Sequence, residues 1–472
     1  MPSSAAAATC WARRGVTWAR AHAAARRDTP RPSIALVAVV AGLLLGVSGS
    51  SGQPPRSPPR GRERLVAETW PHLLTAVPDG TYAAYGVDGH VHSSISRDAR
   101  HEPPLVAEMA AAVGLDALVL TDHGGSQGAA VARRPGLLVM AGVEVGGPFG
   151  HAVVWGARSH AREYRKASDH SLADVAALTH ADGGIIALAH PGWWISHHPH
   201  DPRMWMDRDA LRRGGLSEAL DALELWNGVY PRYTEALLSD WVDLWEQGSE
   251  VPIIGNSDFH TWALHHLGTP RTFVLCRVVP DGRPALDEAC VLDAVRRGRS
   301  YLSRGPAIAW SAEGRIAGER IVAQPGATID LSIEVQLRDT EGRPVLQVLR
   351  GSSVVESRAL PSLHSSHQVR VTMPTHDTPL WLRVAYAQEG FATPPFALVT
   401  NPITLDVPPA RTDTREPAGP QVDRRRYAVG AASRTEWPAD RYVRDRLQAQ
   451  RLNARRARIQ TREPAPRRGH RR

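Results

Sequence analysis

The sequence predicts an α/β barrel of seven strand–helix units followed by a small all-β sandwich. Three observations predict it. From about residue 80 to 305, short apolar strand-like runs alternate with helical stretches, the pattern of a parallel sheet or barrel. From about 306 to 408 the texture changes to short β-rich runs separated by turn residues. The ends of the first-half strands carry His, Asp and Glu, and a (β/α) barrel keeps its functional residues at C-terminal strand ends.

The elements follow in order. Residues 1–52 read as an export signal. Arg26-Arg27 and Arg31 precede the apolar run Ile34–Val47, and the small residues Ser48-Gly49-Ser50-Ser51-Gly52 follow it. The run is shorter than the roughly 17–25 residues needed to span a bilayer, so the chain is expected to be exported, periplasmic or extracellular. Retention by an uncleaved leader is the alternative. Residues 53–80 form a Pro- and Arg-rich linker and lead-in. Within 81–305 the expected strands are Tyr85–His90, Ala117–Thr121, Leu137–Val145, Ile185–Ala189, Ala222–Trp226, Val251–Gly255 and Thr272–Cys276. Pro104–Val113, Leu172–Ala181 and Arg232–Glu246 read as helices between them. Within 306–408, Ile329–Val335, Val345–Leu349, Gln368–Val371, Leu380–Val384 and Ala397–Val399 read as sandwich strands. Residues 409–472 are Arg-rich without an apolar face and read as a disordered tail.

The whole-chain charge of +8 conceals a division. Residues 410–472 carry 18 Arg against 7 Asp and Glu, a net of +11, and residues 1–32 carry 6 Arg against one Asp, a net of +5. Residues 33–409 are therefore left with −8. An acidic body argues against nucleic acid as a partner and suits a carboxylate-rich site for cations. The tail and the leader offer weak association with a membrane or an anionic envelope surface. Cys10, Cys276 and Cys290 lack zinc-ribbon spacing and are too few for a disulfide framework. Cys276 and Cys290 read as two buried free thiols, with a bridge between them as the alternative.

The chemistry gathers at strand ends. His90-Val-His92 places two imidazoles on one face of a strand, because alternation aligns residues i and i+2. Asp122-His123 ends the second strand, and Glu144 lies near the end of the third. His151 opens a return strand. His190-Pro191 ends the fourth, Glu224 and Asn227 the fifth, and Asp258 and His260 the sixth. Each motif alone has an ordinary structural reading as a capped turn or a loop; their recurrence at strand ends of one barrel does not. Divalent ions about 3.5–4 Å apart repel, and bridging carboxylates offset that repulsion while neutral imidazoles complete the shells. Glu144 is the natural bridge and Asp258 the natural partner of a water activated between ions. His197, His198 and His200 read as a solvated loop near the mouth, and Trp193 and Trp194 as pocket lining, core or lid. Asp98 reads as a ligand or as a partner behind the ligands, with the second favoured, and Arg97, Arg232 and Arg304 as candidate phosphate contacts.

The ordered series His90-x-His92, Thr121-Asp122-His123, Gly142-Val-Glu144, Gly150-His151, Ala189-His190-Pro191, Glu224-x-x-Asn227 and Ser257-Asp258-x-His260 resembles the PHP (polymerase and histidinol phosphatase) superfamily over residues 83–305. Glu224-Leu-Trp-Asn227, Leu267-Gly-Thr-Pro270, the stretch Ala294 to Pro306 and Asn401-Pro-Ile resemble its carbaryl-hydrolase-like (CehA/McbA) branch. The resemblance implies a distorted (β/α)7 TIM-like barrel with two or three Zn, Mn or Fe ions. It implies that His90, His92, Glu144 and Asp258 hold one ion and that Glu144 bridges to a second near His151 and His190. It implies that His123 and His260 serve another ion or the leaving group. The loop after His92 is one residue longer than the family's common form, which bears on Asp98, and the Arg-rich tail has no counterpart.

These readings point to a metal-dependent hydrolase of small-molecule substrates, in which a hydroxide bridging two ions attacks and Asp258, His260 and His123 manage protons. Phosphoesters are the first substrate class and carbamates or amides the second. A non-catalytic, metal-stabilised envelope-binding protein is the alternative of another class. A polymerase-associated proofreading role is disfavoured by the leader, the acidic body and the lack of a polymerase region.

Overall fold

Strands buried on both faces of a parallel sheet read as unbroken apolar runs. Ala117–Leu120, Ile185–Leu188 and Ile253–Asn256 are such runs, buried at every residue. The computed structural model describes residues 72–123, 125–191, 219–228, 234–261, 266–279, 286–340, 342–386 and 396–409. All of them belong to one compact unit, Leu65–Arg472. The export signal, most of the linker and the Arg-rich tail lie outside the described residues.

The first half contains β1 (Leu74–Val77), β2 (Gly80–Val91), α1 (Pro103–Ala112), β3 (Ala117–Leu120), α2 (Gly128–Val131), β4 (Leu138–Gly147), β5 (Gly150–Trp155), α3 (Ala161–Ser168), α4 (Leu172–Ala181), β6 (Ile185–Leu188), β7 (Ala222–Asn227), α5 (Thr234–Glu246), β8 (Ile253–Asn256), β9 (Arg271–Arg277), α6 (Glu288–Arg296) and β10 (Ser300–Ser303). The helix starts are written in the sequence. Pro lies in the first turn of α1, the Ser171 hydroxyl accepts from Asp174 N at α4, and the Asp287 carboxylate accepts from Cys290 N at α6. Strands β2, β3 and β4 run parallel, β5 returns antiparallel, and β6, β7 and β8 resume the parallel direction. β9 lies antiparallel on the other side of β2.

The second half contains β11 (Ala307–Ala312), β12 (Arg320–Val322), β13 (Thr328–Gln336), β14 (Pro344–Arg350), β15 (Ser353–Ala359), β16 (His364–Thr372), β17 (Thr378–Tyr386), β18 (Phe396–Thr400) and β19 (Ile403–Asp406). β13 alternates buried Ile329, Leu331, Ile333 and Val335 with more exposed neighbours, the signature of a sheet with one covered face. β11, β13 and β16 form one sheet; β12, β14, β15, β17, β18 and β19 extend the main sheet. Leu331, Ile333, Leu346, Val348, Leu382 and Val384 meet in a common core between them.

The architecture is a strand-rich mixed α/β fold, and it corrects the expected closed barrel. The main sheet has 16 strands and is open. Among the described residues no ladder joins β8 to β2; a single bridge, Val91 to Phe259, stands where one would lie. The outer edge of β8 is instead satisfied by side chains. Ile253 N and O both bond to the Asn401 amide, at 2.8 and 3.0 Å, and Gly255 N and O both bond to Thr272 Oγ1, at 2.9 Å each. Buried backbone groups must find partners, and here they find an amide and a hydroxyl rather than another strand.

The β-rich half is continuous with the first. β10 pairs with both β9 and β18, so one sheet crosses the change of texture near residue 305. The free-thiol reading of the cysteines is also corrected. Cys276 on β9 and Cys290 on α6 form a disulfide with a Cα–Cα distance of 5.9 Å. The reason is local: α6 packs against β9, which brings the pair within bridging range.

Candidate metal centre

The strand ends converge. His90 is the last residue but one of β2, His92 follows the strand, Glu144 projects from β4, and Asp258 lies just past β8. One ligand atom from each falls within 4.8 Å of the others. His90 Nε2 lies 3.3 Å from Glu144 Oε2 and 3.2 Å from Asp258 Oδ1; His92 Nε2 lies 3.1 and 3.4 Å from the same two atoms. His90 Nε2, His92 Nε2 and Asp258 Oδ1 are buried and make no hydrogen bond. Three such atoms at one point are costly unless a cation satisfies them, and imidazole with carboxylate suits zinc, manganese or iron. These residues fit divalent metal.

The opposite oxygen of Glu144 faces a second set. Oε1 lies 2.7 Å from His151 Nδ1 and 3.0 Å from His190 Nε2. The β4–β5 hairpin makes this possible, because Gly146 stands opposite His151 in its register. Glu144 thus turns one oxygen toward each of two groups that could hold a metal ion.

A third set lies nearer solvent. Asp98 Oδ2 is 3.4 Å from His123 Nε2 and 3.3 Å from His260 Nε2. His92, Asp98 and His123 also group within ligand distance. His92, however, has one ring nitrogen bonded to Ser96 Oγ at 3.0 Å, leaving only Nε2, which faces Glu144 and Asp258. A carboxylate can bridge two ions with two oxygens; an imidazole nitrogen cannot. His92 can therefore serve one of these two groups and not both, and Asp98 and His123 are the members of the outer group that the first does not share. Of the two readings of Asp98, ligand or partner behind the ligands, its place in this group is compatible with the first.

Electrostatics agree with a cation-shaped site. Burial disfavours charge on His90 and His92, but nearby carboxylates outweigh it. Asp258, Glu224 and Glu144 hold His90 well above the usual imidazole range, and the close carboxylates of Asp258 and Glu144 carry His92 up to about 9. Burial would raise Glu144 and Asp258, yet the surrounding histidines hold both well below the usual carboxylate range. Without metal, protons on the imidazoles act as the counter-charge. His123 behaves differently: burial, ahead of the pull of Glu144, holds it below the usual range, so near pH 7 it offers a lone pair.

Two of these positions use uncommon backbone. Asp258 has φ +52° and His190 φ +32°, and a residue with a side chain adopts this region only where its surroundings enforce it. Asp88 enforces the first. Buried two residues before His90, it accepts from Ser257 N at 3.1 Å, Ser257 Oγ at 2.5 Å and Gly268 N at 2.7 Å, so the residue before Asp258 is clamped to β2. Asp122 acts likewise on the loop after His92, accepting from Ser93 N, Ser93 Oγ and Ser96 N at 2.6, 2.7 and 3.2 Å. It is a clamp and not a ligand. Asp88, Ser96 and Asn256 were not singled out from the sequence. The signal for Asp88 was present: alternation puts it on the face of His90 and His92.

Of the remaining sequence candidates, Glu224 and Asn227 lie behind His90, with Glu224 3.1 Å from His90 Nδ1 and Asn227 bonded to Glu224. Arg97 and Arg304 are solvent-exposed. His197, His198, His200, Trp193, Trp194 and Arg232 lie outside the described residues. No protein-family model matches this chain, and no curated protein matches it.

Proposed function

We propose that this chain is an exported, metal-dependent hydrolase of the PHP superfamily, within its carbaryl-hydrolase-like branch, acting on phosphoric esters. Glu144 carries the reading: a single buried carboxylate with one oxygen toward His90 and His92 and the other toward His151 and His190. His90, His92, Glu144 and Asp258 would hold one ion, Glu144, His151 and His190 a second, and Asp98, His123 and His260 a third. When bound, such ions supply Lewis-acid polarisation of the scissile centre and lower the pKa of water toward neutrality. The protein's part is orientation and proton handling. Asp258 and His260 are partly open, with side chains 16% and 17% exposed, and are the groups placed to take the nucleophile's proton. His123, 34% exposed, would serve the leaving group.

Bound divalent ions would receive the anionic oxygens of a phosphoric ester. Aryl carbamates are the second substrate class, favoured by Glu224-Leu-Trp-Asn227, Leu267-Gly-Thr-Pro270 and Asn401-Pro-Ile. Export is supported by the leader and by the Cys276–Cys290 disulfide, since such bonds persist in oxidising compartments. Elemental analysis, followed by assays on aryl phosphate monoesters, diesters and carbamates with added Mn or Zn, tests the reading. Bound metal and phosphate-ester turnover are expected. Protein that takes up no metal and turns over none of the three classes would sink it.

A further inference from the structure

One carboxylate outside the ligand set touches two of the metal positions. Glu224, at the end of β7, is 1% exposed. Its Oε1 accepts from Asn256 Nδ2 at 2.9 Å and lies 3.1 Å from His90 Nδ1. Its Oε2 accepts from Asn227 Nδ2 at 2.9 Å and from the His190 backbone N–H at 2.8 Å. A carboxylate has about four acceptor sites on its two oxygens, and four donors use them. Asn256 is itself oriented, because its Oδ1 accepts from Gly89 N at 2.8 Å.

We propose that Glu224 is a positioning residue that sets the His90 tautomer and the His190 backbone together, and so tunes the first and second metal positions in concert. The argument rests on the metal-centre reading above. With Nδ1 donating to Glu224, His90 must present the Nε2 lone pair to Glu144 and Asp258. The bond at His190 N sits where the backbone is left-handed and needs an anchor. Carboxylates behind ligating histidines fix ring orientation and raise ligand basicity. What is particular here is that the same group also anchors a ligand of the neighbouring position.

The test is Glu224→Gln. The substitution keeps the size but puts an amide N–H₂ against a converging donor. Zinc affinity by chelator competition yields the first and second binding constants, and the cobalt-loaded protein gives a visible spectrum that reports ligand geometry. Both constants are expected to weaken roughly 10–100-fold, with an altered cobalt spectrum and an unchanged far-ultraviolet spectrum of the metal-free protein. A fall in only one constant, or in neither, overturns the proposal. Should Glu224→Gln fail to fold, Asn227→Ala decides instead. It removes one donor from the same carboxylate, so both constants should weaken several-fold; wild-type constants would overturn the proposal. Wild-type protein that binds no metal overturns the functional reading as well. Metal-binding wild type with an indifferent variant overturns the positioning role alone.

Discussion

At the scale of single residues, the groups that could hold a metal are also the titrating groups, so metal and protons would compete for them. In the metal-free protein, burial works against His92, but Asp258 and Glu144 carry it to about 9, above the ordinary 6.5. A raised folded-state value means its stabilisation is complete below pH 6.5 and is lost as pH rises toward 9. Glu144 and Asp258 shift the other way, so their contribution is lost as pH falls through the acid range. Thermal unfolding of metal-free protein should therefore be highest between roughly pH 5 and 6.5; a midpoint still rising at pH 9 would contradict this. Each ion must displace imidazole protons, so binding at pH 7 should release protons. Calorimetry in buffers of different ionisation enthalpy reads that release directly, and a buffer-independent heat would exclude it. Asp88→Asn should cost about 2 kcal/mol, since an amide N–H₂ would face the Ser257 and Gly268 donors. It should weaken metal binding too, because Asp258 loses its clamp; denaturant unfolding and chelator competition measure the two effects.

At the scale of elements, the disulfide ties β9 to α6 across a sequence separation of 14 residues. Closing a loop of about that length is worth about 3 kcal/mol by the chain-entropy account. The Cys276→Ala/Cys290→Ala double variant should lose that much in denaturant unfolding while keeping its metal affinity, since neither cysteine is a ligand. Strand positions were legible because periodicity survives folding: every expected strand coincides with an observed one to within a few residues at the first-half ends. Most of the residues that could hold a metal stood out for a related reason, as His, Asp or Glu near a strand end. What was not legible came from contacts remote in sequence. Asp98 sits on a loop with no period to place it, and only its approach to His123 and His260 assigns it. The clamp from Asp88 to Gly268 spans 180 positions, and nothing local in the chain announces it. The open sheet escaped for a related reason, since strand count says nothing about whether the last edge finds the first.

At the scale of the whole molecule, the two textures of the chain form one mechanical object. β10 and β18 share a ladder, and Asn401 donates to Ile253 O, Ser300 O and Ser300 Oγ while accepting from Ile253 N. Asn401→Ala would strand these buried groups at about 1–3 kcal/mol each. Both the unfolding midpoint and metal affinity should fall, because β8 leads directly into Asn256, Ser257 and Asp258. A chain ending at 305 should not yield soluble, metal-binding protein; a well-folded, metal-loaded product would refute the coupling.

The Asn401 contact also imposes an order in time. Ile253 waits for a partner 148 residues further along the chain. A polypeptide emerging from its N-terminus presents the strands of His90, Glu144 and Asp258 long before their last edge can be sealed. An ion captured then would meet a ligand shell whose Asp258 arm is still unanchored. Any uptake of metal by these residues would thus be expected to follow completion of the β-rich half, once Asn401 has reached Ile253.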